Sequence, residues 1–150
     1  MDEPIPLLRR PEDTPPLRTQ EDLHRYWRSL LGELGFSERL LWFTLLDADQ
    51  RVTPVLSQLE DVPRFPDQEL LDSLMDVLSK LLETALPDGS AALLLSRPGR
   101  AAMTESDRVW AASLTEAAAR AGVWLQPIHL ATDQALRVFA PDDLCMPKIA

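Results

Sequence analysis

The stretch "LLLSRPGRAAMTESDRVW", Leu93 to Trp110, runs from an unbroken apolar segment through Ser-Arg-Pro-Gly into Thr104-x-x-Asp107 and a second apolar pattern. The apolar run it starts in, "AALLLS", Ala91 to Ser96, predicts a strand. Thr104 predicts a helix N-cap with Asp107 at the third helical position, and Gly122 predicts the left-handed residue that closes the helix. A strand, a loop and a helix in this order place residues 96–103 at a junction, where connecting loops often carry chemistry.

Outward from that junction the chain reads as alternating elements. Thr19 predicts the cap of a first helix, with Asp22 at the third position and Leu23, Tyr26, Trp27, Leu30, Leu31 and Leu34 on one face up to Gly35. "RLLWFTLLD", Arg39 to Asp47, predicts a strand buried on both faces. After a turn at "DADQ", residues 51–59 predict a second strand, and Pro54 assigns it to an edge or a bulge. A long helix follows over residues 67–86, stopped by "PDGS". Beyond Gly122, "VWLQPIHLA" and "ALRVFA" predict two strands joined at "TDQ" as a hairpin. The order α-β-β-α-β-α-β-β predicts an α+β fold with a mixed β-sheet flanked by helices. Residues 1–18, with Pro4, Pro6, Pro11, Pro15 and Pro16, form a proline-rich N-terminal arm. It reads either as a disordered tail or, given Ile5, Leu7, Leu8 and Leu17, as an arm that packs on its own domain or on a partner. Residues 19–150 form the domain, and Thr19 supplies a helix start without the arm.

Composition narrows the function classes. With 150 residues, 45% of them hydrophobic, the chain can bury a full core. Its net charge of −9 repels phosphate backbones, and its Lys and Arg are scattered, so no nucleic-acid partner is expected and a basic protein surface suits it better. No long apolar run or signal segment is present and Cys145 is the lone cysteine, so the expectation is a cytoplasmic chain with no membrane partner.

From about Thr19 to Leu144 the chain resembles the JAB (MPN) metallohydrolase fold, most closely its RadC branch. That branch carries a glutamate before an apolar strand ending in Leu-Asp, and "FSERLLWFTLLD" has Glu38 and Leu46-Asp47 there. It carries a strand, His-x-His-Pro, a Gly-containing loop and Ser-x-x-Asp opening a helix, and "AALLL", "SRPGRAAM" and "TESD" stand in those places. The resemblance implies a cytidine-deaminase-like three-layer arrangement. In the family, two histidines and the helix-opening aspartate would hold zinc and the glutamate would act as general base on its water. In this chain the histidine places fall on Leu94 and Ser96 or on Leu95 and Arg97, so neither a zinc site nor any other cofactor is expected. The candidate residues of the degenerate site are Glu38, Ser96, Arg97 and Asp107, and none of them is assigned a catalytic role. The Arg97 guanidinium is expected where the metal would have been, facing both Glu38 and Asp107.

Plainer readings stand beside these. Asp107 in a first helical turn is favoured by the helix dipole, and Glu38 before a strand reads as a solvated charge. His24 and His129 read as surface or packed histidines, and Cys145 as incidental. Ser96 lacks a nucleophile elbow. Trp27, Trp42, Trp110 and Trp124 read as core, unless they gather on an exposed patch. Three functions follow: a non-catalytic domain that binds a protein partner or forms a homo-oligomer, or serves as a regulatory module; a hydrolase with a divergent or partner-completed site; and a small-molecule sensor using the vacated metal pocket.

Overall fold

The computed structural model describes residues 4–144, so Cys145 lies outside the described residues. Its elements run α1 (Gln20–Leu31), β1 (Leu40–Leu46), β2 (Val52–Leu59), α2 (Gln68–Ala85), β3 (Ser90–Ser96), α3 (Glu105–Ala121), β4 (His129–Ala131) and β5 (Leu136–Val138), with short 3-10 turns at Pro11–Asp13 and Pro141–Leu144. The order is the one expected. The strands form one mixed sheet in the order β2-β1-β3-β4-β5; β1 is antiparallel to β2 and β3, β3 is parallel to β4, and β4 and β5 form the terminal hairpin. Among the described residues no helix is long and apolar enough to cross a membrane.

Strand alternation sorts the core into two layers. Leu41, Phe43, Leu45, Ala91, Leu93, Leu95 and Leu130 face α2 and α3, where they pack on Leu71, Leu74, Leu78, Trp110 and Leu114. Leu46, Ala92, Leu94, Ala131 and Leu136 face the other way, toward Leu23 and Trp27 of α1. The two central strands are thus covered on both sides, which is why β1 and β3 read as continuous apolar runs rather than alternating ones. Pro54 sits in β2, an edge strand, between the Val52 and Leu56 pairings where the register with β1 shifts.

The two threonine N-caps, Thr19 of α1 and Thr104 of α3, form capping boxes. The Asp22 N–H donates to Thr19 Oγ1 at 3.0 Å while Asp22 Oδ2 accepts from the Thr19 N–H at 3.1 Å, and Thr104 and Asp107 do the same for α3. Gly122 closes α3 with φ 72° in the left-handed region. The first helix is shorter than its periodicity suggests: it ends at Leu31 with Gly32 at φ 65°, before Gly35 is reached. The strands expected from "VWLQPIHLA" and "ALRVFA" shrink to three residues each, with an isolated parallel bridge between Ala91 and Leu125. Pro127 has no N–H to continue that ladder between the bridge and β4.

The arm does not end where composition suggests. Leu17 is buried against Trp27 and its N–H donates to the Gln50 carbonyl at 2.8 Å, and Thr14 is buried as well. Its earlier residues Ile5, Leu7 and Leu8 are exposed. The Trp124 side chain, expected in the core, is 55% exposed, whereas Trp27 and Trp110 are fully buried. Val123 and Leu125 on either side take the inward positions, so the ring of Trp124 turns out.

Candidate functional site: the junction between β3 and α3

Arg97 leaves the end of β3 one residue beyond Ser96, on the face that carries α3. Its guanidinium meets Asp107 side-on: Nε donates to Oδ1 at 2.8 Å and Nη2 to Oδ2 at 2.7 Å. Nη2 also donates to the Ala102 carbonyl at 3.0 Å and Nη1 to the Pro98 carbonyl at 3.1 Å, so the same fork ties both ends of the loop. The pair is shielded, with side-chain exposures of 9% for Arg97 and 3% for Asp107.

Asp107 therefore serves the helix and the loop together. Its Oδ2 accepts from the Thr104 N–H at 2.9 Å in addition to Arg97. Burial opposes its negative charge, but the hydrogen bonds from Arg97 and Thr104 and the nearby guanidinium outweigh it and hold the carboxyl below the usual carboxylate range. The space framed by Arg39, Leu95, Ser96, Arg97, Asp107, Trp110 and Leu130 is too small for a water molecule. A vacated pocket able to take a small ligand is thus not found at this place.

Glu38 does not join the pair, contrary to expectation. It is exposed in the turn before β1, and among the described residues the Arg97 guanidinium is satisfied by Asp107 and two carbonyls alone. The neighbour that reaches inward is Arg39, whose Nη1 donates to Ser106 Oγ at 2.6 Å and to the Arg64 carbonyl at 2.9 Å. That carbonyl also accepts from Ser106 Oγ and, at 3.1 Å, from Trp110 Nε1. Residues 63–64 are in this way pinned to the start of α3, a connection no local signal announces. Ser96 is fully buried, points to the opposite face of the sheet, and accepts from Trp42 Nε1 at 2.9 Å. The four candidates therefore split three ways: Arg97 and Asp107 together, Ser96 beneath α1, and Glu38 in solvent.

The loop is closed from its other side by the β4–β5 hairpin. Asp133 accepts from the Gly99 N–H at 2.8 Å and the Phe36 N–H at 2.9 Å, bonds that hold its carboxyl below the usual range, and Gln134 Oε1 accepts from the Ala101 N–H at 2.7 Å. Beneath α1, His129 is fully buried, its Nδ1 3.2 Å from the Pro127 carbonyl and its ring 6.1 Å from that of His24. The carbonyl can only accept, so the proton sits on Nδ1 and leaves Nε2, which has no partner among the described residues, as a bare acceptor. Among the described residues no three His, Cys, Asp or Glu side chains converge as a metal-binding group.

Chemically, the junction holds charges in fixed pairs rather than presenting them. Both Asp107 oxygens and three guanidinium nitrogens of Arg97 are engaged within the chain, and the Ser96 hydroxyl is turned to Trp42. Compared with known proteins, the chain matches no family model, no curated protein and no solved structure.

Proposed function

We propose that the chain is a non-catalytic domain of JAB/RadC-like kind that recognises another protein, as a binding or regulatory module. The observation that carries this reading is the Arg97–Asp107 pair. The aspartate that the resemblance assigns to a metal is saturated by a guanidinium of its own chain, in a space that admits no water. A buried fork of this kind is a structural closure, since opening it would expose an unpaired charge. The recognition half rests on apolar side chains left at the surface, among them Leu7, 81% exposed, and Trp124.

The test combines metal content with site-specific photo-crosslinking in the native cell. Purified protein is expected to contain far less than one zinc per chain, and a chelator to leave its melting temperature unchanged. A photo-reactive residue at position 7 or 124 is expected to give one discrete protein adduct that the same residue at the exposed Val77 does not. An adduct of two copies of the chain would assign the surface to a homo-oligomer. Stoichiometric zinc, or no adduct from either position, overturns the reading.

A further inference from the structure

The ends of α2 and α3 enclose a cleft of about 450 Å³ on the side of the molecule away from the Arg97 loop, and its chemistry has one sign. Glu83 from α2 and Asp88 from the following turn line it, together with Trp124, and no Lys or Arg does. The last turn of α2 carries no basic residue, so the negative end of its dipole is uncompensated there. The basic side chains nearest in sequence are committed elsewhere: Lys80 Nζ pairs with Asp76 at 3.0 Å and Arg120 with Glu116 at 3.1 Å. Among the described residues neither Glu83 nor Asp88 has an ion-pair partner.

The cleft is open, and the backbone that frames it is closely held. Asp88 is held in the left-handed region at φ 64°, between Pro87 and Gly89. Gly89 packs so tightly that a Cβ there would lie 2.5 Å from the Leu46 carbonyl oxygen. The Trp124 backbone is tied to the sheet, its carbonyl accepting from the Ala91 N–H at 2.9 Å while the Gln126 N–H donates back to the Ala91 carbonyl at 2.8 Å. An exposed indole with a fixed backbone beside two unpaired carboxylates matches a planar cation: the ring face attracts the charge and the carboxylates accept its N–H groups.

We infer that this cleft receives an arginine side chain of a partner protein, stacked on Trp124 and hydrogen-bonded by Glu83 and Asp88. The occupant is set by charge complementarity, because the lining is acidic and aromatic and the chain as a whole carries −9. The inference goes beyond the module reading and does not use the Arg97–Asp107 closure.

The test is a titration of the ¹⁵N-labelled chain with the tripeptide acetyl-Gly-Arg-Gly-amide, following the Trp124 indole N–H and the Gly89 and Gly122 amides. The expected result is saturable movement of these signals at millimolar peptide, weakened by about tenfold or more in Trp124→Ala and in the Glu83→Gln, Asp88→Asn pair. The citrulline analogue, isosteric and neutral, is expected to move them little. Each substituted residue is exposed, and asparagine tolerates the left-handed backbone, so a native spectrum of each variant shows that the fold is kept. No movement, equal movement with citrulline, equal affinity for the lysine peptide, or unchanged affinity in both variants overturns the inference. Failure here with the crosslinking result intact removes the arginine site and leaves the module reading standing.

Discussion

Arg97 and Asp107, ten residues apart, meet through two parallel hydrogen bonds of 2.8 and 2.7 Å, in a place where both side chains are more than nine-tenths buried. The pair links the end of β3 to the first turn of α3 and so sets the course of the loop between them.

Removing one partner would leave a buried charge alone. Arg97→Met is expected to lower unfolding stability by about 3–5 kcal/mol in urea titrations. Adding Asp107→Asn should recover part of that loss, because asparagine can still accept from the Thr104 N–H without the negative charge. Adding Glu38→Gln instead should recover nothing, since Glu38 lies in solvent and outside the pair.

Acid is expected to weaken the fold through His129 before it reaches the carboxylates. Burial, partly offset by the Pro127 carbonyl and reinforced by the neighbouring His24, lowers its pKa from 6.5 to about 4. Between those values the unfolded chain takes up a proton that the folded chain refuses, so stability is full above pH 6.5 and falls as the pH drops toward 4. The loss should total roughly 3 kcal/mol, at 1.36 kcal/mol per pKa unit. Denaturant titrations at pH 7.5 and 4.5 would show it, and His129→Leu should flatten it. Asp107 acts in a separate window: its lowered pKa contributes stability that disappears only as the pH falls below the ordinary carboxylate value.

Truncation should divide the arm in two. Deleting residues 1–10 is expected to leave the unfolding midpoint nearly unchanged, because the described residues there are mostly exposed. Deleting residues 1–18 also removes buried Leu17 and Thr14 and uncovers Trp27, at a cost of about 1.5–3 kcal/mol for the leucine alone. An unchanged midpoint for the longer deletion would show that Leu17 contributes no net packing energy.

Gly89→Ala should be destabilising although the φ of Gly89 lies outside the left-handed region. The added methyl meets the Leu46 and Leu86 carbonyl oxygens at 2.5 and 2.9 Å, and backbone on two sides cannot yield as a side chain would. A loss of about 1–3 kcal/mol is expected by thermal or urea unfolding, typical of overpacking.

Local physics made much of the architecture readable without coordinates. Thr19 and Thr104 cap helices because each hydroxyl can satisfy an N–H three residues ahead, a bond that depends on nothing distant. The apolar run of β1 declared a strand covered on both faces, that of β3 a strand, and Pro54 an edge or a bulge, because burial and donor loss are written residue by residue. Asp107 belonged to both kinds of signal, as the third residue of a cap and as a charge needing a partner.

Which partner it would have was decided only in three dimensions. The sequence reading set Arg97 against both Glu38 and Asp107, and the tertiary structure left Glu38 in solvent while the fork closed on Asp107 and the loop carbonyls. The same holds for the Arg64 carbonyl that gathers Arg39, Ser106 and Trp110, for Leu17 joining the core beneath α1, and for Trp124 turning outward between buried Val123 and half-buried Leu125. Capping and periodicity act within about four residues along the chain, whereas ion pairing and exposure depend on which distant segments pack together, and that is a property of the assembled sheet and helices.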